Sequence, residues 1–179
     1  MKILMIAPQP FFEPRGTPFS VLGRLKGLSH LGYKVDLLTY HVGQNIKIPG
    51  VQIFRTPSIR FIREIPIGPS LKKVFLDILL FAKAFRLLQK GHYDLLHTHE
   101  EAGFFGVLLS KHFGIRHLYD MHSSLPQQLG NFRYYRFSLL IYLFNWLERW
   151  ALNSSNALIT ICPALEEYVR EVNGHVPQV

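Results

Sequence analysis

Lys2-Ile3-Leu4-Met5-Ile6-Ala7, then Pro8-Gln9-Pro10-Phe11-Phe12-Glu13-Pro14-Arg15-Gly16, then Thr17-Pro18 reads as a buried strand, a stiff loop and a helix start. The apolar run is short and leads into prolines, not into a small-residue cleavage site, so it is a first strand and no signal peptide. Thr17 suits the N-cap and Pro18 the first helical position. Val21, Leu22, Leu25 and Leu28 then form an apolar stripe, and Gly32 marks the stop. Unpaired N–H groups and the positive dipole end at such a start attract phosphate or carboxylate, and Gly16 lets a ligand approach the backbone. A lone glycine fits an ordinary turn equally well, so both readings of Gly16 stand.

Working outward, apolar runs with the character of buried strands recur at Lys34–Thr39, Val51–Arg55, Asp94–His97, Arg116–Asp120 and Ala157–Ile161. Helical patterns fall between most of them, over Pro69–Lys90, Ala102–Phe113, Phe132–Asn153 and Pro163–Val172. Strands alternating with helices imply an α/β fold with right-handed crossovers. The expected architecture is a Rossmann-like, doubly wound, mainly parallel six-stranded sheet with helices on both faces, ordered 3-2-1-4-5-6.

The 179 residues suit one domain over positions 1–179. A content of 48% hydrophobic and 18% charged residues is globular, not disordered. The apolar stretch Phe137–Leu147 falls short of the roughly 20 residues that cross a bilayer. Cys162 is the only cysteine, which excludes an internal disulfide and makes the cytoplasm the simplest location. Residues 173–179 read as a lead into a further strand or linker.

The charge is unevenly placed. Between positions 51 and 90 lie Arg55, Arg60, Arg63, Lys72, Lys73, Lys83, Arg86 and Lys90 against Glu64 and Asp77, which accounts for six of the net +8. No zinc-finger or ribonucleoprotein signature accompanies these cations, so nucleic acid is not the expected partner. At 100° per residue Lys72, Lys83, Arg86 and Lys90 share one stripe of the second helix with Leu76 and Leu79. Val74, Ile78, Phe81, Phe85 and Leu88 lie opposite and are the expected core face. Together with Arg60, Arg63, Phe61 and Ile62 in the preceding loop, the stripe fits docking on an anionic membrane. A solvated charged face fits it too.

Ligands of an open parallel sheet bind beyond the carboxyl ends of its strands, where the strand order reverses. That rule selects the loop from Pro8 to Gly16, His97-Thr98-His99-Glu100-Glu101, Asp120-Met121-His122-Ser123-Ser124 and Cys162, all on one expected rim. His97 and His99 share a side of an extended segment. Metal binding would need a third ligand and a supporting shell, so the pair reads as rim residues and no metal is expected. Glu100 and Glu101 stand where a helix begins and suit its dipole. Cys162, before Pro163, reads as a helix cap. His122, in a polar segment directly after an apolar strand, is the leading functional candidate, with a structural hydrogen bond to its loop as the alternative. No G-x-G-x-x-G follows strand 1 and no acidic residue ends strand 2, which disfavours a nicotinamide dehydrogenase. No P-loop is present either.

The order of Met1-Lys2-Ile3-Leu4-Met5, Arg15-Gly16-Thr17-Pro18, Leu31-Gly32-Tyr33-Lys34-Val35, Tyr93-Asp94-Leu95-Leu96-His97-Thr98-His99, Tyr119-Asp120-Met121-His122 and Ala157-Leu158-Ile159-Thr160-Ile161-Cys162 resembles the N-terminal domain of family 4-like glycosyltransferases. The resemblance covers essentially the whole chain. It implies one half of a GT-B architecture, in which two Rossmann-like domains face a cleft. It also implies transfer of a sugar from a nucleotide-sugar to a hydroxyl acceptor, in most members with retention of configuration.

By the same resemblance His122 matches the histidine that contacts the reacting sugar. Arg15, Gly16, Thr17, His99, Glu100, Asp120 and Ser123 would bind substrate near it. Many members carry two glycines where Arg15-Gly16 stand, and serine where Cys162 stands. The expected partners are a C-terminal nucleotide-sugar-binding domain, absent from these residues, the nucleotide-sugar as co-substrate, and the acceptor. No further cofactor is implied. The chain alone is expected to be inactive, and the location to be cytoplasmic, peripheral on the inner membrane face. A non-catalytic module that binds sugar phosphate or docks on membranes is the competing function.

Overall fold

A computed structural model describes residues 1–14, 16–60, 62, 64–66, 70–126 and 138–172. In chain order its elements are β1 (Lys2–Ala7), α1 (Gly16–His30), β2 (Lys34–Thr39), β3 (Val51–Arg55), α2 (Leu71–Lys90), β4 (Leu95–His99), α3 (Ala102–Phe113), β5 (Arg116–Met121), α4 (Ser138–Ser154), β6 (Ala157–Thr160) and α5 (Pro163–Val172). The six strands form a parallel sheet ordered β3-β2-β1-β4-β5-β6, as the alternating pattern predicts. Ile3 stands opposite Val35, Val35 opposite Val51, and Met121 opposite Thr160. Near-continuous apolar strands such as β1 belong in such sheets because both faces are covered. The chain divides into two compact units, Met1–His97 and Thr98–Val179.

In the first unit Ile3, Met5 and Ala7 of β1, Val35 and Leu37 of β2, Val21 and Leu25 of α1, and Phe11 form the core. Helix α1 starts at Gly16, so Thr17 lies inside its first turn and is not the expected cap. The stop at Gly32 is as expected: its φ of 77° is one that glycine adopts without strain. Helix α2 begins at Leu71, where Ser70 Oγ accepts a hydrogen bond from the Lys73 N–H at 3.3 Å.

The burial of α2 corrects its expected orientation. The inward line is Leu76, Leu80, Ala84 and Leu88, whereas Val74 and Ile78 are exposed. Two polar tethers account for the rotation: Asp77 accepts from Tyr40 Oη at 2.5 Å, and Lys83 Nζ donates to the Arg55 carbonyl. Both bonds would be lost with the face centred on Val74 and Ile78 turned inward. Arg55 is likewise engaged, donating to the carbonyls of Tyr40, Val42 and Gln44 and so tying down the irregular stretch before β3.

In the second unit Val107 of α3, Tyr119 and Met121 of β5, Ala151 and Leu152 of α4, Leu158 of β6, and Leu165 and Val169 of α5 form the core. Helix α3 comes very close to the sheet. A Cβ on Gly103 would stand 2.5 Å from the Tyr119 ring, and one on Gly106 would stand 2.6 Å from His117 Nε2. The expected start of α4 at Phe132 lies outside the described residues, as do positions 173–179.

Candidate functional site

Strand β4 continues to His99, and β5 to Met121. Side chains alternate along a strand, so Tyr119 and Met121 enter the core of the second unit while Asp120 takes the other face. There Asp120, His122 and His99 meet. His122 Nε2 lies 3.2 Å from Asp120 Oδ1 and 3.2 Å from His99 Nδ1. His99 Nδ1 lies 3.7 Å from Asp120 Oδ2, and the two imidazole rings are edge to face at 5.2 Å. Asp120 and His99 are fully buried and His122 is 8% exposed. Buried polar groups at this depth must pair with one another.

A carboxylate only accepts, so the geometry assigns the His122 Nε2 hydrogen to Asp120 Oδ1. With Nε2 so engaged, Nδ1 is the ring atom of His122 that offers a lone pair. A histidine oriented by a carboxylate and presenting its second nitrogen can accept a proton or a hydrogen bond from a hydroxyl. Within the cluster His122 Nε2 is the atom that stands within hydrogen-bond distance of both Asp120 Oδ1 and His99 Nδ1. Glu100, at φ 47°, turns the chain out of β4, and its N–H donates to the Asp120 carbonyl at 3.3 Å. Glu101 is the N-cap of α3 without a side-chain capping bond. Ser123 is half-buried beside His122.

Glu148 of α4 escapes a reading of the sequence. Fully buried, it accepts from Ser124 Oγ at 2.8 Å, from the Leu125 N–H at 2.9 Å and from Tyr168 Oη at 2.7 Å. It thus anchors the segment that follows His122. Burial pushes its carboxyl above the ordinary range, with the three donors opposing the shift, and pushes the Tyr168 hydroxyl up to about 12. The available signal was the one carboxylate of the mainly apolar α4. His117, by contrast, is structural: it is buried between Thr98 Oγ1 at 2.6 Å and Ser155 Oγ at 3.2 Å.

In the first unit the loop after β1 is pinned to the exit of β2. The Gln9 carbonyl accepts from Thr39 Oγ1 at 2.5 Å. Phe12 and Gln44 exchange backbone hydrogen bonds at 2.9 and 3.2 Å. Gly43, at φ 114°, permits this closeness, since a Cβ there would stand 2.3 Å from the Phe11 carbonyl oxygen. Gly16, at φ 35°, has open space around it, and Thr17 is half-buried. His97 is buried at the end of this unit. Arg15 and Arg63 lie outside the described residues, whereas Arg60, Lys72, Arg86 and Lys90 are exposed and Lys83 is half-buried on the Arg55 carbonyl. Cys162 is exposed, just before α5.

A parallel α/β sheet in this strand order defines a Rossmann-like domain, and its likeness to solved structures makes it one half of a GT-B fold. Residues 15–178 match the profile of Glycosyltransferase Family 4, and the chain belongs to that family. Among solved structures, a sucrose-phosphate synthase from Thermosynechococcus elongatus is similar at a TM-score of 0.76 and 20% identity, over 99% of this chain and 47% of that one. A UGT transferase from Siraitia grosvenorii solved with UDP is similar at 0.60 and 12%, over 96% and 47%. UGT2 from Phytolacca americana, solved with UDP-2fluoro-glucose and pterostilbene, is similar at 0.58 and 13%, over 98% and 52%. No curated protein matches. The chain spans about half the length of these structures.

Proposed function

We propose that this chain is the acceptor-side half of a glycosyltransferase that moves a sugar from a nucleotide-sugar to a hydroxyl acceptor, with His122 at the reaction centre. The observation that carries the reading is the His122–Asp120 contact at 3.2 Å within a chain of Glycosyltransferase Family 4. Asp120 holds Nε2, and Nδ1 accepts a hydrogen bond from a hydroxyl of the reacting sugar. The acceptor oxygen bonds to the anomeric carbon as the bond from that carbon to the donor phosphate breaks. The nucleotide leaves with the bonding pair, and its departing phosphate oxygen takes the acceptor proton on the face of the sugar from which it leaves, so that the acceptor enters on that same face. Retention of configuration is part of the proposal.

The reaction needs a second domain to close on the donor, which orients the reactants and excludes water, so the 179 residues alone are proposed to be inactive. No metal belongs to the proposal: chelation should leave turnover unchanged. Arg15, Gly16, Thr17, Glu100 and Ser123 are proposed to contact substrate, whereas His99 and Asp120, fully buried, are proposed to act by holding His122 instead of touching substrate as first expected. The proposed location is cytoplasmic and peripheral on the inner membrane face, in glycan biosynthesis. Screening the intact protein for thermal stabilisation by UDP-, GDP- and ADP-sugars tests the reading. Stabilisation by one nucleotide class supports transfer. Stabilisation by a sugar phosphate alone, without turnover, would favour the non-catalytic module.

A further inference from the structure

We infer that the outward face of α2 docks the protein on an anionic lipid surface. Its apolar N-terminal half would enter the headgroup region, with flanking cations against lipid phosphates. Leu71, Val74, Phe75 and Ile78 are 89%, 54%, 46% and 61% exposed. Their spacing of three and four residues puts them on one side of the helix. Contiguous apolar side chains of this size are unusual on a water-facing surface and mark an interaction site.

Charge selects the occupant. Lys72, Arg86 and Lys90 line one edge of this exposed side of the helix, and among the described residues none of them makes a hydrogen bond or ion pair. The helix holds five cations and one carboxylate, Asp77, which accepts from Tyr40 Oη. Glu64 is the exposed anion of the preceding segment. Pairing two copies through this face would set cation against cation. No described helix is long and apolar enough to cross a membrane. A helix that exposes an apolar face with a basic edge instead lies in the interfacial plane. The inference stands on surface residues and is independent of His122.

The test is co-sedimentation of the intact protein with vesicles of phosphatidylcholine alone or mixed with phosphatidylglycerol. Binding should appear on the mixed vesicles and fade with added salt. Lys72→Gln, Arg86→Gln and Lys90→Gln should each weaken it about fivefold, and Ile78→Ser about tenfold. All four positions are exposed, so unfolding temperatures should match wild type and verify the fold. Equal binding to both vesicle types, no binding to either, or charge variants as tight as wild type would overturn the inference. So would a lipid-free dimer that Ile78→Ser dissociates, because a second copy would then own the face.

Discussion

Glu148 Oε1 accepts the hydrogen bond of Ser124 Oγ at 2.8 Å, so a buried carboxylate in α4 holds the chain two residues beyond His122. Burial raises the Glu148 carboxyl, and the sign of the consequence is fixed. A carboxyl whose folded value is raised favours folding while protonated, below its unfolded value, and that contribution is lost as pH rises through the folded value. Against Glu148→Gln, which does not titrate, the wild-type protein should lose relative stability as pH rises above the ordinary glutamate range, then level off. Urea unfolding of both proteins across that range checks it. Parallel curves would refute the burial argument.

Gly103 and Gly106 let α3 press on Tyr119 and His117. Alanine at either position should cost about 1–3 kcal/mol through overpacking, with Gly106→Ala also disturbing the hydrogen bond between Thr98 and His117. Chemical denaturation gives the numbers, and a change below a few tenths would show that α3 can shift without strain.

Gly43→Ala should be severe in the first unit. Its φ of 114° disfavours any side chain, and the added carbon would meet the rigid Phe11 carbonyl. A loss of at least about 1–3 kcal/mol is expected in the same measurement, with amide exchange accelerating at Phe12 and Gln44. Slow exchange retained at both amides would contradict it.

Strand order was legible because most strands are apolar runs bounded by turn residues, and parallel pairing follows from the helices between them, β2 and β3 excepted, which an irregular stretch joins. Helix α2 was not legible in rotation: it carries two apolar faces, one buried and one exposed, and distant partners, Tyr40 and the Arg55 carbonyl, select the buried one. His122 and Asp120 could be read from their place after a buried strand. Their contact with each other is local, two positions apart on one face of the segment, whereas their contact with His99 follows from β4 lying beside β5, which a linear pattern does not encode. Glu148 was hidden for the same reason, since its donors lie 20 to 24 positions away along the chain.

Turnover of the intact protein with and without His122→Ala, on the nucleotide-sugar that stabilises it, is the decisive measurement. Loss of the side chain should lower kcat by about 10²-fold in a protein that still folds, and Asp120→Asn should fall in the same direction by disturbing the Nε2 contact. Wild-type turnover in a folded His122→Ala protein would contradict the assignment of His122 to the reaction centre.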